Sequence, residues 1–211
     1  MKTVSRILKW TCYVVIASVF FLLIGRIVIA DYYPAAMKSY YVSDAMRELA
    51  TENYVPEVYR QGLRISYDDH DSGKYARFMA SNQYYCPELG ELQITLRYNR
   101  STLELVAEDF KLDAVPEDAE DLFAFAISDN NENHTTAIVN TEIEHKFMYT
   151  YIKLTFTGID FDSEETGWLR LEICYKDAVD FDNPYATIPV WERELVPDSV
   201  LHPLTYQEIA G

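Results

Sequence analysis

The chain has 211 residues, with 34 acidic and 18 basic side chains and a formal net charge of −16 at pH 7. The first 30 residues hold four of the basic side chains and no acidic one, so the other 181 residues carry a formal charge of −20. Such a surface argues against nucleic acid as a partner. With 49% hydrophobic residues and 17 tyrosines, the chain is too apolar for a disordered protein.

The longest apolar stretch runs from residue 10 to residue 30 and contains one charge, Arg26. About 20 apolar residues cross a bilayer as a helix, so we expect a transmembrane signal anchor here. Three basic residues precede this stretch and Asp31 follows it, which predicts a cytoplasmic N-terminus and an extracytoplasmic C-terminal domain. The expected membrane anchors are the aromatic residues at both ends and the snorkelling arginine: Trp10, Tyr13, Arg26, Tyr32 and Tyr33.

The same stretch also has features of a cleaved secretory signal. Val28, Ile29 and Ala30 directly precede Asp31 and could be presented to a signal peptidase. A cleavage region is polar and extended, whereas residues 27–29 continue the apolar helix, which favours a retained anchor. Both interpretations place the rest of the chain outside the cytoplasm.

The sequence divides into four segments. They are a basic tail at residues 1–9, the apolar stretch at 10–30, a juxtamembrane segment at 31–60 and a β-rich domain at 61–211. In the juxtamembrane segment, apolar side chains recur at steps of four residues: Met37, Tyr41, Ala45 and Leu49. This period predicts an amphipathic helix over residues 35–51.

Beyond residue 62 the hydrophobic period changes from helical to two. The alternation is clearest at residues 91–98, which predicts a strand with one buried face and one face in water. Further strands are predicted at residues 63–66, 74–80, 122–128, 134–140, 147–157, 168–176 and 186–192. Pro189 confines the last of these to a sheet edge.

One helix interrupts the predicted strands. Ser101 and Glu104 have the spacing of a capping box, and the apolar residues that follow predict a helix over residues 102–110. The fold class expected from this order is mainly β: an antiparallel β-sandwich of immunoglobulin-like architecture, with one or two short helices, after a single transmembrane helix.

Two cysteines lie beyond the apolar stretch. Outside the cytoplasm, Cys86 and Cys174 could form a disulfide. A separation of 88 residues along the chain does not fix the pairing geometry, so two free thiols are the alternative. The sequence contains no Cys-x-x-Cys motif, which leaves zinc and dithiol redox chemistry without support.

Acidic residues alternate in two predicted loops. They are Asp160, Asp162 and Glu164 in the first loop and Asp177, Asp180 and Asp182 in the second. Carboxylate oxygens are the ligands that calcium prefers, so calcium is the candidate metal and no other cofactor is indicated. The alternative is a pair of solvated loops without metal, which the abundance of acidic residues on protein surfaces favours.

The sequence predicts a binding protein rather than an enzyme, because no catalytic motif is present and the four histidines are scattered. Tyr149 and Tyr151 lie opposite the aliphatic face of their strand and form either a recognition surface or part of the core. We therefore expect a membrane-anchored, extracytoplasmic binding module with a protein or glycan partner at the cell surface. The alternatives are an accessory subunit of a membrane protein complex and a carboxylate-dependent hydrolase.

Overall fold

The computed structural model describes residues 2–30, 33–61, 65–66, 78–146, 148–160, 167–192 and 199–211. They belong to two units, Met1–Pro34 and Ala35–Gly211. The first unit contains helix α1, Lys2–Ala30, whose side chains are exposed from Trp10 to Ile24. Among the residues that the structure describes, no helix is both long enough and apolar enough to cross a membrane.

The second unit is mainly β, with several short helices. The helices are α2 (Ala35–Lys38), α3 (Asp44–Leu49), α4 (Arg100–Asp109), α5 (Ala119–Leu122) and α6 (Tyr206–Ala210), and a single 3-10 turn covers Pro87–Leu89. The strands are β1 (Val58–Gln61), β2 (Ile65–Ser66), β3 (Met79–Cys86), β4 (Glu91–Asn99), β5 (Phe123–Asp129), β6 (His134–Thr135), β7 (Ile138–Lys146), β8 (Tyr149–Phe156), β9 (Trp168–Tyr175), β10 (Ala186–Glu192) and β11 (Ser199–His202).

The strands form two antiparallel sheets around one apolar core. In the large sheet the order is β11-β1-β3-β4-β8-β7, with β2 paired to β3, and in the small sheet it is β10-β9-β5-β6. Strand β8 pairs with β4 along its whole length, from Phe156 opposite Leu92 to Tyr149 opposite Asn99. The prediction of a mainly β fold with antiparallel sheets is confirmed, whereas the immunoglobulin-like arrangement stays a prediction.

Residues of β4 alternate between the two faces of the large sheet. Leu92, Ile94 and Leu96 point into the core that the large sheet shares with the small one. Every second residue, beginning with Glu91, points to the opposite face, which we call the outer face. Glu91, Gln93 and Thr95 on the outer face are as buried as the core residues, and Arg97 and Asn99 are partly buried, so the prediction that one face of this strand lies in water is wrong.

The predicted helix over residues 35–51 is also wrong. The structure has α2 and α3 instead, and the chain between them is not helical. Ser43 begins the second helix, because its hydroxyl accepts a hydrogen bond from the Met46 amide at 3.2 Å. The predicted cap of α4 is also wrong, because the capping residue is Asn99 and not Ser101. The Asn99 side chain accepts a hydrogen bond from the Thr102 amide at 2.9 Å.

The predicted strand 134–140 is two strands in two sheets. Residues His134–Thr135 pair within the small sheet, and Ile138–Lys146 pair within the large one, so the chain passes between the sheets at residues 136–137. The edge position of β10 is confirmed. Of the predicted strands 63–66 and 74–80, residues 63–64 and 74–77 lie outside the described part of the chain.

Strand β3 was not predicted over its full length, because its sequence does not alternate regularly. Its pairing with β4 shifts register between Ser81 and Tyr84. Asn82 lies in this irregular stretch with a φ of 47°, a conformation that asparagine tolerates better than most residues. A bulge of this kind breaks the period of two on which the prediction depends.

Candidate functional site

The outer face of the large sheet carries a row of polar side chains that are shielded from water. Glu91, Gln93 and Thr95 on β4 and Lys153 on β8 are all buried. Residues 35–41, which we call the strap, supply hydrogen-bond partners to each of these four side chains. The strap therefore covers the middle strands of the sheet.

Gln93 binds the strap as a neighbouring strand would. Its side-chain oxygen accepts from the Tyr41 amide at 2.8 Å, and its side-chain nitrogen donates to the Tyr41 carbonyl at 2.7 Å. Thr95 donates to the Met37 carbonyl at 2.9 Å, and the Tyr84 hydroxyl donates to the Lys38 carbonyl. Most of these hydrogen bonds are made to the backbone of the strap rather than to its side chains.

Lys153 holds the first turn of the strap. Its ammonium donates to the Ala36 carbonyl at 2.5 Å and to the Ser39 carbonyl. The side chain is 1% exposed, and this burial lowers the pKa of Lys153 to about 8, although the charge of Glu142 on β7 acts in the opposite direction. The carbonyls at the end of α2 are a favourable place for a cation, because backbone dipoles point their negative ends there.

Tyr40 closes the other end of the strap. Its hydroxyl donates to the Glu91 carboxylate at 2.9 Å, and the same oxygen accepts from the Gln93 side chain at 2.8 Å. Burial and the neighbouring carboxylate raise the pKa of Tyr40, so its hydroxyl keeps the proton that it donates. Tyr40 also belongs to an apolar cluster with Met46 of α3 and Cys86 of β3.

A second surface lies where the β7–β8 hairpin meets the start of α4. It is an open groove of about 370 Å³, which we call the hairpin groove, and its lining includes Arg100, Glu117, His145, Lys146, Met148 and Tyr149. Met148 is 47% exposed and Tyr149 is half-buried. The guanidinium of Arg97 lies 4.5 Å from the centre of the Tyr149 ring, a distance typical of a cation–π contact.

A hydroxyl, an imidazole and a carboxylate meet beside this groove. His145 Nδ1 lies 3.1 Å from the Thr150 hydroxyl, and His145 Nε2 lies 3.6 Å from the Asp118 carboxylate. The second distance is longer than a hydrogen bond. Asp118 also caps α5 and accepts from the Tyr98 hydroxyl at 3.2 Å. This arrangement ties the hairpin to α5 and offers no support for nucleophilic catalysis.

The outer face of the small sheet holds a separate polar set that sequence reasoning missed. The buried Ser128 hydroxyl donates to Glu172 at 2.6 Å, and the other carboxylate oxygen lies 3.1 Å from His134 Nδ1. The imidazole stacks on the Phe181 ring, with centroids 4.4 Å apart. Glu172 bridges the other two side chains, so Ser128 and His134 do not form the direct pair that a nucleophile and its base require.

The structure separates the two predicted surface tyrosines. Tyr151 is 1% exposed, so this residue is buried and does not contribute to a recognition surface. Tyr149 lines the hairpin groove instead. Their rings contact each other edge to face, with centroids 6.5 Å apart.

Cys86 and Cys174 do not form a disulfide, so the alternative of two free thiols describes them. Both thiols are buried and free in the described part of the chain. Cys86 belongs to the cluster on the outer face of the large sheet, whereas Cys174 follows Ile173, a core residue of the small sheet, and lies on that sheet's outer face. Packed sheets lie about 10 Å apart, which is too far for a disulfide between their outer faces.

The predicted calcium ligands are not assembled where the structure describes them. Asp180 accepts from the Asp182 amide at 3.0 Å, and Asp177 accepts from the Tyr175 hydroxyl at 3.3 Å, so both serve their own loop. Asp160 is exposed, and Asp162 and Glu164 lie outside the described residues. Among the described residues, no group of three acidic, histidine or cysteine side chains is placed to hold a metal ion.

The predicted membrane anchors differ in their surroundings. Trp10 and Tyr13 are exposed on α1 and contact each other edge to face at 6.5 Å. Tyr33 is buried. The side chains of Arg26 and Tyr32 lie outside the described residues.

No family model, curated protein or solved structure matches this chain. The function proposed for it therefore depends on the chemistry of its own surfaces.

Proposed function

We propose that this chain is a membrane-anchored binding module, with α1 in the bilayer and the two-sheet domain outside the cytoplasm. In this proposal the domain binds a protein at the cell surface through the hairpin groove. The observation that carries it is that the chain has both an exposed apolar helix, α1, and a groove that is lined by an aromatic ring, a methionine and cations.

The membrane part of the proposal is supported by the exposed side chains of α1. Large apolar side chains from Trp10 to Ile24 are between 41% and 73% exposed. Surfaces of this kind are unfavourable in water and mark a membrane or a protein interface. The predicted span also includes residues 26–30, whose side chains lie outside the described residues. Lys2, Arg6 and Lys9 precede the apolar stretch and Asp31 follows it, which supports the proposed orientation.

The binding part is supported by the composition of the hairpin groove. Tyrosine, methionine and arginine are enriched in protein interfaces, and Tyr149, Met148 and Arg100 meet here. Arg100 and Lys146 outnumber the single lining carboxylate, Glu117, in a domain that is otherwise strongly acidic. This charge pattern fits a partner segment that carries carboxylates beside an apolar side chain.

A fractionation experiment tests the anchor. The full-length protein should stay in the membrane after alkaline carbonate extraction and should be degraded by protease added to the outside of intact cells. A variant without residues 10–30 should lose membrane association. Release of the full-length protein by carbonate, or protection of its C-terminal domain from external protease, would contradict the proposal.

Site-specific photocrosslinking tests the groove in the native membrane. A photoreactive residue at Met148 should give a discrete adduct with a partner, and the Arg100→Glu substitution should weaken that adduct. Val179 is an equally exposed position in the loop between β9 and β10 and provides the control. Equal adducts from both positions would contradict a groove-specific contact. Adducts from Phe21 on α1 alone would instead support the accessory-subunit alternative.

A further inference from the structure

We propose that the strap is a displaceable latch that undocks from an otherwise folded domain and uncovers both the outer face of β4 and β8 and Cys86. This inference goes beyond the proposed function and does not depend on it. It follows from how the strap is held, what lies beneath it and where it stands in the chain.

The strap is held mainly by side chains of the sheet that bind its backbone. Gln93, Thr95, Tyr84 and Lys153 all reach carbonyl groups of residues 36–41. Water can replace hydrogen bonds of this kind, and their net contribution is modest because both states are hydrogen-bonded. The sandwich core, by contrast, depends on apolar burial, which water cannot replace.

The face beneath the strap is suited to contact with water. It carries Glu91, Gln93, Thr95 and Lys153, all of which are well solvated once uncovered. Undocking would also return the ammonium of Lys153 to water and relieve the burial that lowers its pKa. The apolar groups that opening would expose include Met37, Tyr40 and part of the cluster that Tyr40 joins.

The strap follows α1 closely in the sequence, so a change at α1 could act on the latch. The strap begins at Ala35, and four residues separate it from the end of α1 at Ala30. A force or rearrangement that acts on α1 reaches the domain along the chain through the strap first. Undocking would therefore convert a change at α1 into exposure of a polar sheet face.

Cys86 is a built-in reporter of this opening. Its thiol is buried in one cluster with Tyr40 of the strap, whereas Cys174 is buried on the other sheet. The experiment uses the full chain in detergent with Cys12→Ser, which removes the exposed thiol of α1. Alkylation by N-ethylmaleimide is followed separately at Cys86 and Cys174 by mass spectrometry.

The test variant is Lys153→Ala, which removes the donor that binds two strap carbonyls. The matched control is Lys176→Ala, because Lys176 also donates to a backbone carbonyl, that of Glu120 at 3.2 Å, but lies away from the strap. We expect Cys86 to react at least tenfold faster in Lys153→Ala than in the parent, with Cys174 unchanged. Lys176→Ala should change neither rate.

Two results would overturn the latch. One is an equal acceleration at Cys86 and Cys174, which would mean that the whole domain opens. The other is an unchanged rate at Cys86 in a folded Lys153→Ala protein. If that variant does not fold, the rate of Cys86 alkylation is measured in the parent protein at increasing urea concentrations. This rate should depend on urea less steeply than global unfolding does. An equally steep dependence would contradict the latch.

Discussion

Both faces of strand β4 are buried from Glu91 to Leu96, but they are held by different forces. On the inner face, Leu92, Ile94 and Leu96 pack into the core between the sheets. On the outer face, Glu91, Gln93 and Thr95 are matched by hydrogen-bonding groups of the strap. The first arrangement excludes water because apolar surface is buried, whereas the second excludes it only while the strap stays in place.

This difference shows that burial alone does not identify the interaction that stabilises a residue. An apolar side chain loses its partners only when the whole core opens. A polar side chain under a cover can exchange its partner for water by a local movement of the cover. Substitutions on the two faces separate these two cases.

The largest effect is expected on the inner face. Ile94→Ala removes buried methyl groups from the centre of the core and should lower the free energy of unfolding by about 2 to 5 kcal/mol. Urea unfolding followed by circular dichroism measures this loss. A loss below about 1 kcal/mol would mean that the core can collapse around the vacancy or that the inner face contributes little.

The next largest effect is expected on how the free energy of unfolding depends on pH, to which Lys153 contributes. Its pKa is lowered from 10.5 to about 8 in the folded protein, so the unfolded chain binds the proton more tightly. The stability should therefore rise as the pH increases from about 8 towards 10.5. Between pH 7.5 and 9.5 the gain amounts to about 2 kcal/mol.

Lys153→Met should lack this gain, and the difference between the two proteins is the quantity to measure. The subtraction removes the opposing contribution of buried groups whose pKa is raised, such as Cys86 and Tyr84, because both proteins contain them. Urea titrations at several pH values give the two curves. Parallel curves would show that folding does not lower the pKa of Lys153.

A smaller loss is expected from Thr95→Val, which keeps the shape of the side chain and removes its hydroxyl. The Met37 carbonyl then loses its donor, and the free energy of unfolding should fall by about 1 kcal/mol. Cys86 alkylation should report this loss more strongly than global unfolding does. An effect confined to global unfolding would assign the outer face to the same cooperative unit as the core.

The smallest effect is expected where a polar pair faces water. Arg47 and Asp44 on α3 lie 3.3 Å apart, but their side chains are 56% and 92% exposed. Arg47→Ala should therefore change the free energy of unfolding by less than about 0.5 kcal/mol, measured as above. A loss as large as that of Thr95→Val would contradict the view that covered polar contacts count for more than exposed ones.

Elements with a strong local period could be predicted from the sequence. The strands at residues 91–98 and 168–176 and the helix at 102–110 lie within two residues of the observed β4, β9 and α4. In each case the alternation or the helical period is set by neighbouring residues. Strand β3 has no such period because of its bulge near Asn82, and it was largely missed.

The hairpin groove was predictable only in part. Tyr149 was a candidate because it lies opposite the aliphatic face of its strand, and the same argument selected Tyr151, which is buried. Arg100 and Lys146 are 46 residues apart along the chain, so no local pattern could bring them together. The pairing of β4 with β8 decides that they meet.

By itself, the sequence determined the acidic character, the apolar N-terminal helix and the series of antiparallel strands, because composition and period act over a few neighbouring residues. Only the tertiary structure decided which polar face is dry, which tyrosine is exposed and on which sheets the two cysteines lie. These properties depend on partners far away in the chain: Gln93 is paired with Tyr41 across 52 residues and Lys153 with Ala36 across 117. A period of two shows that a strand has two faces, but it does not show what covers each of them.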